Sequence, residues 1–154
     1  MSISYLEKYN VSKKGIVDYL KKKGIDKNAI DGAVIKLENY GYIDDKVFAK
    51  NYFESLKNTK GKRAIVQKLK EKGINSEIIS ELVENIDDEC EEERALLLAK
   101  KFAKNRENNL KNKQKCLAHL IYKGYDYSVA QRVVNKIYAG DENDWIWPWT
   151  HFKN

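Results

Sequence analysis

Apolar residues recur along this chain at helical spacing on either side of three glycines. Eight residues before Gly24, Gly73 and Gly124 stand Ile16, Ile65 and Cys116, and four before stand Leu20, Leu69 and Leu120. Ten residues after come Val34, Val83 and Val134, and thirteen after come Leu37, Ile86 and Ile137. Such offsets place apolar side chains on one face of a helix before each glycine and one face of a helix after it. The glycines lie 49 and 51 residues apart, and Leu20–Asp26, Leu69–Asn75 and Leu120–Asp126 align without gaps. A period of this length marks an array of small units rather than one irregular fold.

Each unit has a physical reading. The glycine takes the left-handed position just past a helix C-terminus. A lysine precedes it each time (Lys23, Lys72, Lys123), where its charge suits the negative end of the helix dipole. Asp26, Asn75 and Asp126 then stand as N-caps of the next helix. Ile25 with Ile30 and Ile74 with Ile79 have the spacing of hydrophobic staples, and Tyr125 with Ala130 is a weaker version. A further helix before this pair completes a three-helix unit. In the second unit it runs from about Asp44, with Ile43 placed to staple onto Phe48; in the third it begins near Asp88; in the first it is short and begins near Ser4. The expected architecture is all-α, with helical repeats at 1–43, 44–86 and 87–140 and a tail at 141–154.

Totals agree with this reading. One proline and eight glycines in 154 residues suit a helical chain. A repeat of ~50 residues buries too little surface to stand firmly alone, so the repeats are expected to pack on one another. No run approaches the ~20 apolar residues of a membrane span, and the N-terminus has no charged-then-apolar signal pattern. Two cysteines 26 residues apart do not suggest a disulfide framework. A cytosolic protein is the simplest expectation.

Charge changes the picture more. The net charge of +6 is distributed as +5 over residues 1–86, −6 over 87–93, +9 over 94–140 and −2 over 141–154. A basic chain with its largest excess in one repeat suggests a polyanion or an acidic protein surface as partner. The acidic run Asp87–Glu93 reads as a helix start that favours carboxylates.

No catalytic constellation emerges. Cys116 and His119 are three apart on a helix, but zinc needs four ligands and no second Cys/His pair exists; Cys116 also fills the core slot of Ile16 and Ile65. Gly61-Lys62-Arg63 is only a fragment of a phosphate loop. Helix capping explains Asp44-Asp45 better than a catalytic carboxylate pair. Phe48, Tyr52 and Leu56 share a core face. The tail Trp145-Ile146-Trp147-Pro148-Trp149 lies outside the repeat, and end-capping and partner binding both fit it. Neither an enzyme nor a metal or other cofactor is expected.

Short turns between helices also suit helix-turn-helix DNA readers. The helices after each glycine argue otherwise, because Ile30, Ala33, Val34 and Leu37 in the first, and Ile78, Ile79, Leu82 and Val83 in the second, mark them as packing helices. Basic residues repeat instead on the helix before the glycine. Lys13, Lys62 and Lys113 share one offset; Lys14 and Arg63 follow; Lys21 and Lys70 lie seven further on; Lys115 covers the equivalent end in the third repeat. A basic face repeated at intervals can follow a polyanionic or filamentous partner without reading sequence. A solvated outer face, which every amphipathic helix needs, is the plainer alternative.

These residues carry a resemblance. Gly41-Tyr42-Ile43-Asp44-Asp45, Phe48-Ala49, Gly61-Lys62-Arg63, then Ile65, Leu69 and Lys72-Gly73-Ile74, resemble the central module of the RecX family of bacterial regulators of the RecA recombinase. Residues ~5–138 follow the family's three-module order, the outer modules more loosely. Asn10-Val11-Ser12, Asp18-Tyr19-Leu20 and the Trp-rich tail depart from its pattern. The resemblance implies three tandem three-helix repeats in an elongated, curved array. It implies a cytoplasmic protein of recombination, DNA repair and the SOS response that lies in the groove of the RecA–DNA filament and suppresses ATP hydrolysis and strand exchange or promotes filament disassembly. It brings no catalytic residues. The expected contacts to filament and to the backbone of single- and double-stranded DNA are Lys13, Lys14, Lys21, Lys62, Arg63, Lys70, Lys113 and Lys115. No membrane contact is expected, and a monomer is the expected state. A DNA-binding protein that acts without RecA and a scaffold that binds only protein are the rivals.

Overall fold

The computed structural model describes residues 11–139. The expected first helix near Ser4 and the Trp-rich tail lie outside these residues. Among the described residues all regular secondary structure is helical: α1 Lys13–Lys22, α2 Lys27–Asn39, α3 Asp45–Leu56, α4 Lys62–Glu71, α5 Ser76–Glu84, α6 Asp88–Ala103, α7 Leu110–Tyr122 and α8 Tyr127–Ile137. None of these helices is long and apolar enough to cross a membrane.

Local chemistry explains the boundaries. Ser12, Asp26, Asp44, Asn75, Asp87 and Asn109 each cap a helix, the side chain accepting from first-turn amides. Gly24, Gly41, Gly73 and Gly124 end α1, α2, α4 and α7 with φ of 76°, 77°, 78° and 100°. At Gly73 its own N–H donates to Lys70 O and the Ile74 N–H to Leu69 O, at 3.0 and 3.1 Å, the paired bonds of a Schellman turn. The same pair of bonds closes the turns at Gly24, Gly41 and Gly124.

The described residues form two compact units. The first comprises residues up to Asn58 together with Ala64–Ile86, and the second Thr59–Arg63 together with the residues from Asp87 onward. The first unit holds two cores. Ile16, Leu20, Ile30, Val34, Leu37 and Ile43 form one; Phe48, Ala49, Phe53, Ile65, Leu69, Ile74 and Ile79 form the other. The second unit has one core, built of Ala95, Ala99, Cys116, Leu120, Tyr125, Val129, Ala130, Val133, Val134 and Tyr138. Each fully buried Leu or Ile contributes ~1.5–3 kcal/mol by removal from water.

Three details differ from the sequence reading. Asp126 stands at the N-cap position of α8 but makes no side-chain cap hydrogen bond; its carboxylate lies 3.7 Å from Arg63 Nε instead. Tyr125, the weakest staple by sequence, is buried at 1 % exposure, whereas Ile25 at the same place is 42 % exposed. Neighbouring chain accounts for this: a Cβ at Gly124's counterpart Gly24 would meet nothing among the described residues, while the backbone at Gly61 lies against Gly124 and Tyr125. Val83, equivalent to the buried Val34 and Val134, is only half-buried on the nine-residue α5.

Candidate functional site: the basic helix starts

The basic residues picked out by sequence lie on α1, α4 and α7, and the structure divides them. In the first unit, the start of α1 is docked on the turn that ends α4. Ser12, buried at 2 % exposure, donates its Oγ–H to Lys72 O at 2.9 Å while its Oγ accepts from Gly15 N. The Lys14 ammonium donates to Glu71 O at 3.2 Å, and its methylenes lie against Gly73, where a Cβ would come within 2.6 Å of them. The Lys13 N–H donates to Asp45 Oδ1 at 2.9 Å, and its ammonium pairs with Glu38 at 2.8 Å. That hydrogen bond and the Glu38 charge raise the Lys13 pKa.

In the second unit, Gly61–Arg63 meets the turn that ends α7. The Gly61 N–H donates to Lys123 O at 2.8 Å and the Arg63 N–H to Gly124 O at 3.1 Å. A Cβ on Gly61 would lie 2.4 Å from Gly124 C and Tyr125 N, so only glycine allows this approach. The Lys62 N–H donates to Glu91 Oε1 at 2.6 Å, and the Lys62 ammonium pairs with Asp88 at 3.5 Å. Glu91 is 2 % exposed. Burial raises its pKa, opposed by the Lys62 N–H and charge. Its neighbour Glu92 is shifted the other way, held low first by Lys136 at 2.6 Å and then by Arg132 at 3.0 Å. The acidic run is therefore more than a helix start: Glu91 serves α4 and Glu92 ties α6 to α8.

Lys21, Lys70 and Lys115 are exposed, and their side chains have no partner among the described residues. Lys113 is half-buried on α7. Cys116 is fully buried in the core, and burial pushes its thiol up to about 11. His119 stacks on Phe102, whose ring also carries Arg106 at 4.0 Å; burial and the charges of Lys123 and Arg106 lower its pKa. α5 exposes Glu77, Glu81 and Glu84, and on α8 Arg132 and Lys136 are tied to Glu92.

Sequence reasoning missed Asp45 and Glu91 as partners of another helix. Their residue types were visible, but they stand at different offsets before their glycines, 28 and 33 residues, so the repeat did not align them.

Known proteins share these features. The profile of the second three-helix domain of RecX matches residues 44–82, and that of the third matches residues 90–134. A regulatory protein RecX from Clostridioides difficile (strain 630) is 38% identical over 123 residues, covering 77% of this chain and 58% of the relative. One from Listeria welshimeri is 38% identical over 151 residues, covering 93% of this chain and 56% of the relative. The chain thus spans little more than half the length of these relatives. The crystal structure of RecX from Lactobacillus salivarius superposes with a TM-score of 0.79 at 25% identity, covering 88% of this chain and 91% of that one. An all-helical array of repeats, matched by profile, by sequence and by structure, leads to one assignment: this chain belongs to the RecX family.

Proposed function

We propose that this protein is a negative regulator of the RecA recombinase that binds the RecA–DNA filament in its groove and inhibits ATP hydrolysis and strand exchange. Relatives that share most of this chain are regulatory proteins by name. The observation that carries the reading to a polyanionic filament is the recurrence of exposed lysines whose heads have no partner among the described residues, Lys21, Lys70 and Lys115, on the equivalent helix of successive repeats. Lys13, Lys14, Lys62, Arg63 and Lys113 lie on the same helices. Cations at intervals along a helical array engage backbone phosphates, and such contacts release counterions without reading bases.

The protein acts as a cytoplasmic monomer with no hydrolytic activity of its own. Its partners are the RecA filament and the backbone of single- and double-stranded DNA. A direct test combines RecA strand exchange with binding titrations at rising salt. The reading expects inhibited exchange and DNA binding that weakens steeply with salt and ignores sequence. A preference above ~100-fold for one duplex sequence would instead mark a transcription-factor-like protein that acts without RecA.

A further inference from the structure

Lys13 and Lys62 occupy the same position in successive repeats, and so do the residues before them, Ser12 and Gly61. Both small residues stand where the start of one helix meets a Schellman turn: Ser12 at Lys72–Gly73, Gly61 at Lys123–Gly124. In both places a carboxylate from the helix that opens the following repeat accepts the lysine's backbone N–H: Asp45 from Lys13, Glu91 from Lys62. The third repeat breaks the plan. There α7 begins at Leu110, three residues before Lys113, and Asn109 caps it locally. The Lys113 N–H is held inside that helix, by Asn109 O at 3.0 Å. Asn112, the counterpart of Ser12 and Gly61, turns its side chain to Glu107 O at 2.9 Å.

We infer that Asp45 and Glu91 are joint-forming carboxylates that cap, from one repeat, the second helix of the repeat before it, and that Lys13 and Lys62 serve these joints rather than the polyanion. First-turn amides of a helix need an outside acceptor. Gly61 has no side chain to provide one, and Ser12 serves Gly15 alone. The acceptor for Lys13 and Lys62 comes from the next repeat, and a carboxylate there also suits the positive end of the helix dipole. Each lysine head then meets a nearby acid, Glu38 or Asp88, which screens it from an outside phosphate. Contact falls to Lys21, Lys70 and Lys115, so this assignment narrows the site of the proposed function and, in that respect only, rests on it.

The test has two arms on the full chain. In the first, amide hydrogen exchange is compared for the parent, Glu91→Gln and Glu91→Leu. Glu91→Gln keeps an acceptor oxygen and retains protection of the Lys62 and Arg63 amides; Glu91→Leu speeds their exchange by ~10-fold or more while amides within α8 keep theirs. Asp45→Asn and Asp45→Leu do the same at Lys13 and give an independent reading should Glu91→Leu not fold. Unchanged Lys62 exchange in a folded Glu91→Leu protein, or equal loss in Glu91→Gln, overturns the joint. In the second arm, binding to a fluorescent oligo-dT strand is measured for Lys62→Met and Lys70→Met. Lys62→Met stays within ~2-fold of the parent and Lys70→Met weakens further, in line with the loss of one phosphate contact. Equal weakening by the two overturns the division of the lysines. If neither variant changes binding while the first arm holds, the joint stands and the division falls together with the proposed polyanion contact.

Discussion

Helices α4 and α7 hold the same place in successive repeats, yet they begin in opposite ways. α7 carries its own cap, since Asn109 accepts from Asn112 N at 2.8 Å within four residues of chain. α4 follows a glycine and takes its acceptors from distant chain, Glu91 Oε1 for Lys62 and Gly124 O for Arg63. A local cap makes a helix start independent of its neighbours. A distant cap makes it conditional on them, which links the integrity of one repeat to that of the next. The contacts that join one repeat to the next here are hydrogen bonds at helix ends, Lys13 N–H to Asp45 and Lys62 N–H to Glu91.

The largest effect separates core from joint. Leu69 is fully buried at the end of α4, and Leu69→Ala should destabilise the first unit by ~2–5 kcal/mol, because truncation leaves a cavity. A thermal melt matching the parent would remove Leu69 from the core. Gly73→Val should also lower the melting temperature, because φ of 78° resists a β-branched residue and Lys14 crowds the new Cβ.

At the joint itself, Gly61→Ala places a methyl group 2.4 Å from the backbone of Gly124 and Tyr125. Neither neighbour is a flexible side-chain end, so the segment must shift, at a cost of ~1–3 kcal/mol. Ser12→Gly at the equivalent place removes only the hydrogen bond to Lys72 O and the cap of Gly15, a cost of ~1 kcal/mol. Denaturant melts that rank Ser12→Gly above Gly61→Ala would show that the two joints do not share one plan. Asn109→Ala, which removes the local cap of α7, should cost ~0.5–2 kcal/mol without changing exchange at Lys62.

Glu91 and Glu92 extend the comparison to pH. The Glu92 pKa is depressed, so its contribution to stability is present above the ordinary carboxylate range and is lost as pH falls through its folded value. The Glu91 pKa is raised, so its contribution is present below the ordinary range and is lost as pH rises through its folded value. Relative to the parent, Glu92→Gln should therefore lose most near neutral pH and little in acid. Glu91→Gln should show the opposite slope. Melting temperature followed from neutral to acid pH checks both, and parallel curves would contradict the assigned surroundings. Smallest of all, Lys21→Glu and Lys70→Glu should change folding stability by no more than ~0.5 kcal/mol, since both heads are solvated.

Helix ends were legible in the sequence because their chemistry is local. Asp26, Asn75 and Gly73 declare themselves within six residues of chain, and the apolar offsets named Ile16, Leu69 and Val134 as core. The joints were not legible for a geometrical reason. α6 has 16 residues and α3 has 12, so the carboxylates that perform one task stand at different distances from their glycines. Asp126 shows the other limit: its type and place announce a cap, but Arg63, 63 residues earlier, draws its carboxylate away. The basic face was readable as a repeat of residue types. Which of its lysines face solvent depends on Asp88, Glu38 and Glu71, and those pairings exist only once the helices are packed.

The most direct measurement of the regulatory reading is RecA's ATP hydrolysis on single-stranded DNA with this protein added at substoichiometric to equimolar amounts. The account predicts a progressive fall in the rate, weaker for a Lys21→Glu/Lys70→Glu/Lys115→Glu protein whose melting temperature matches the parent's. An unchanged rate at equimolar, natively folded protein would contradict it.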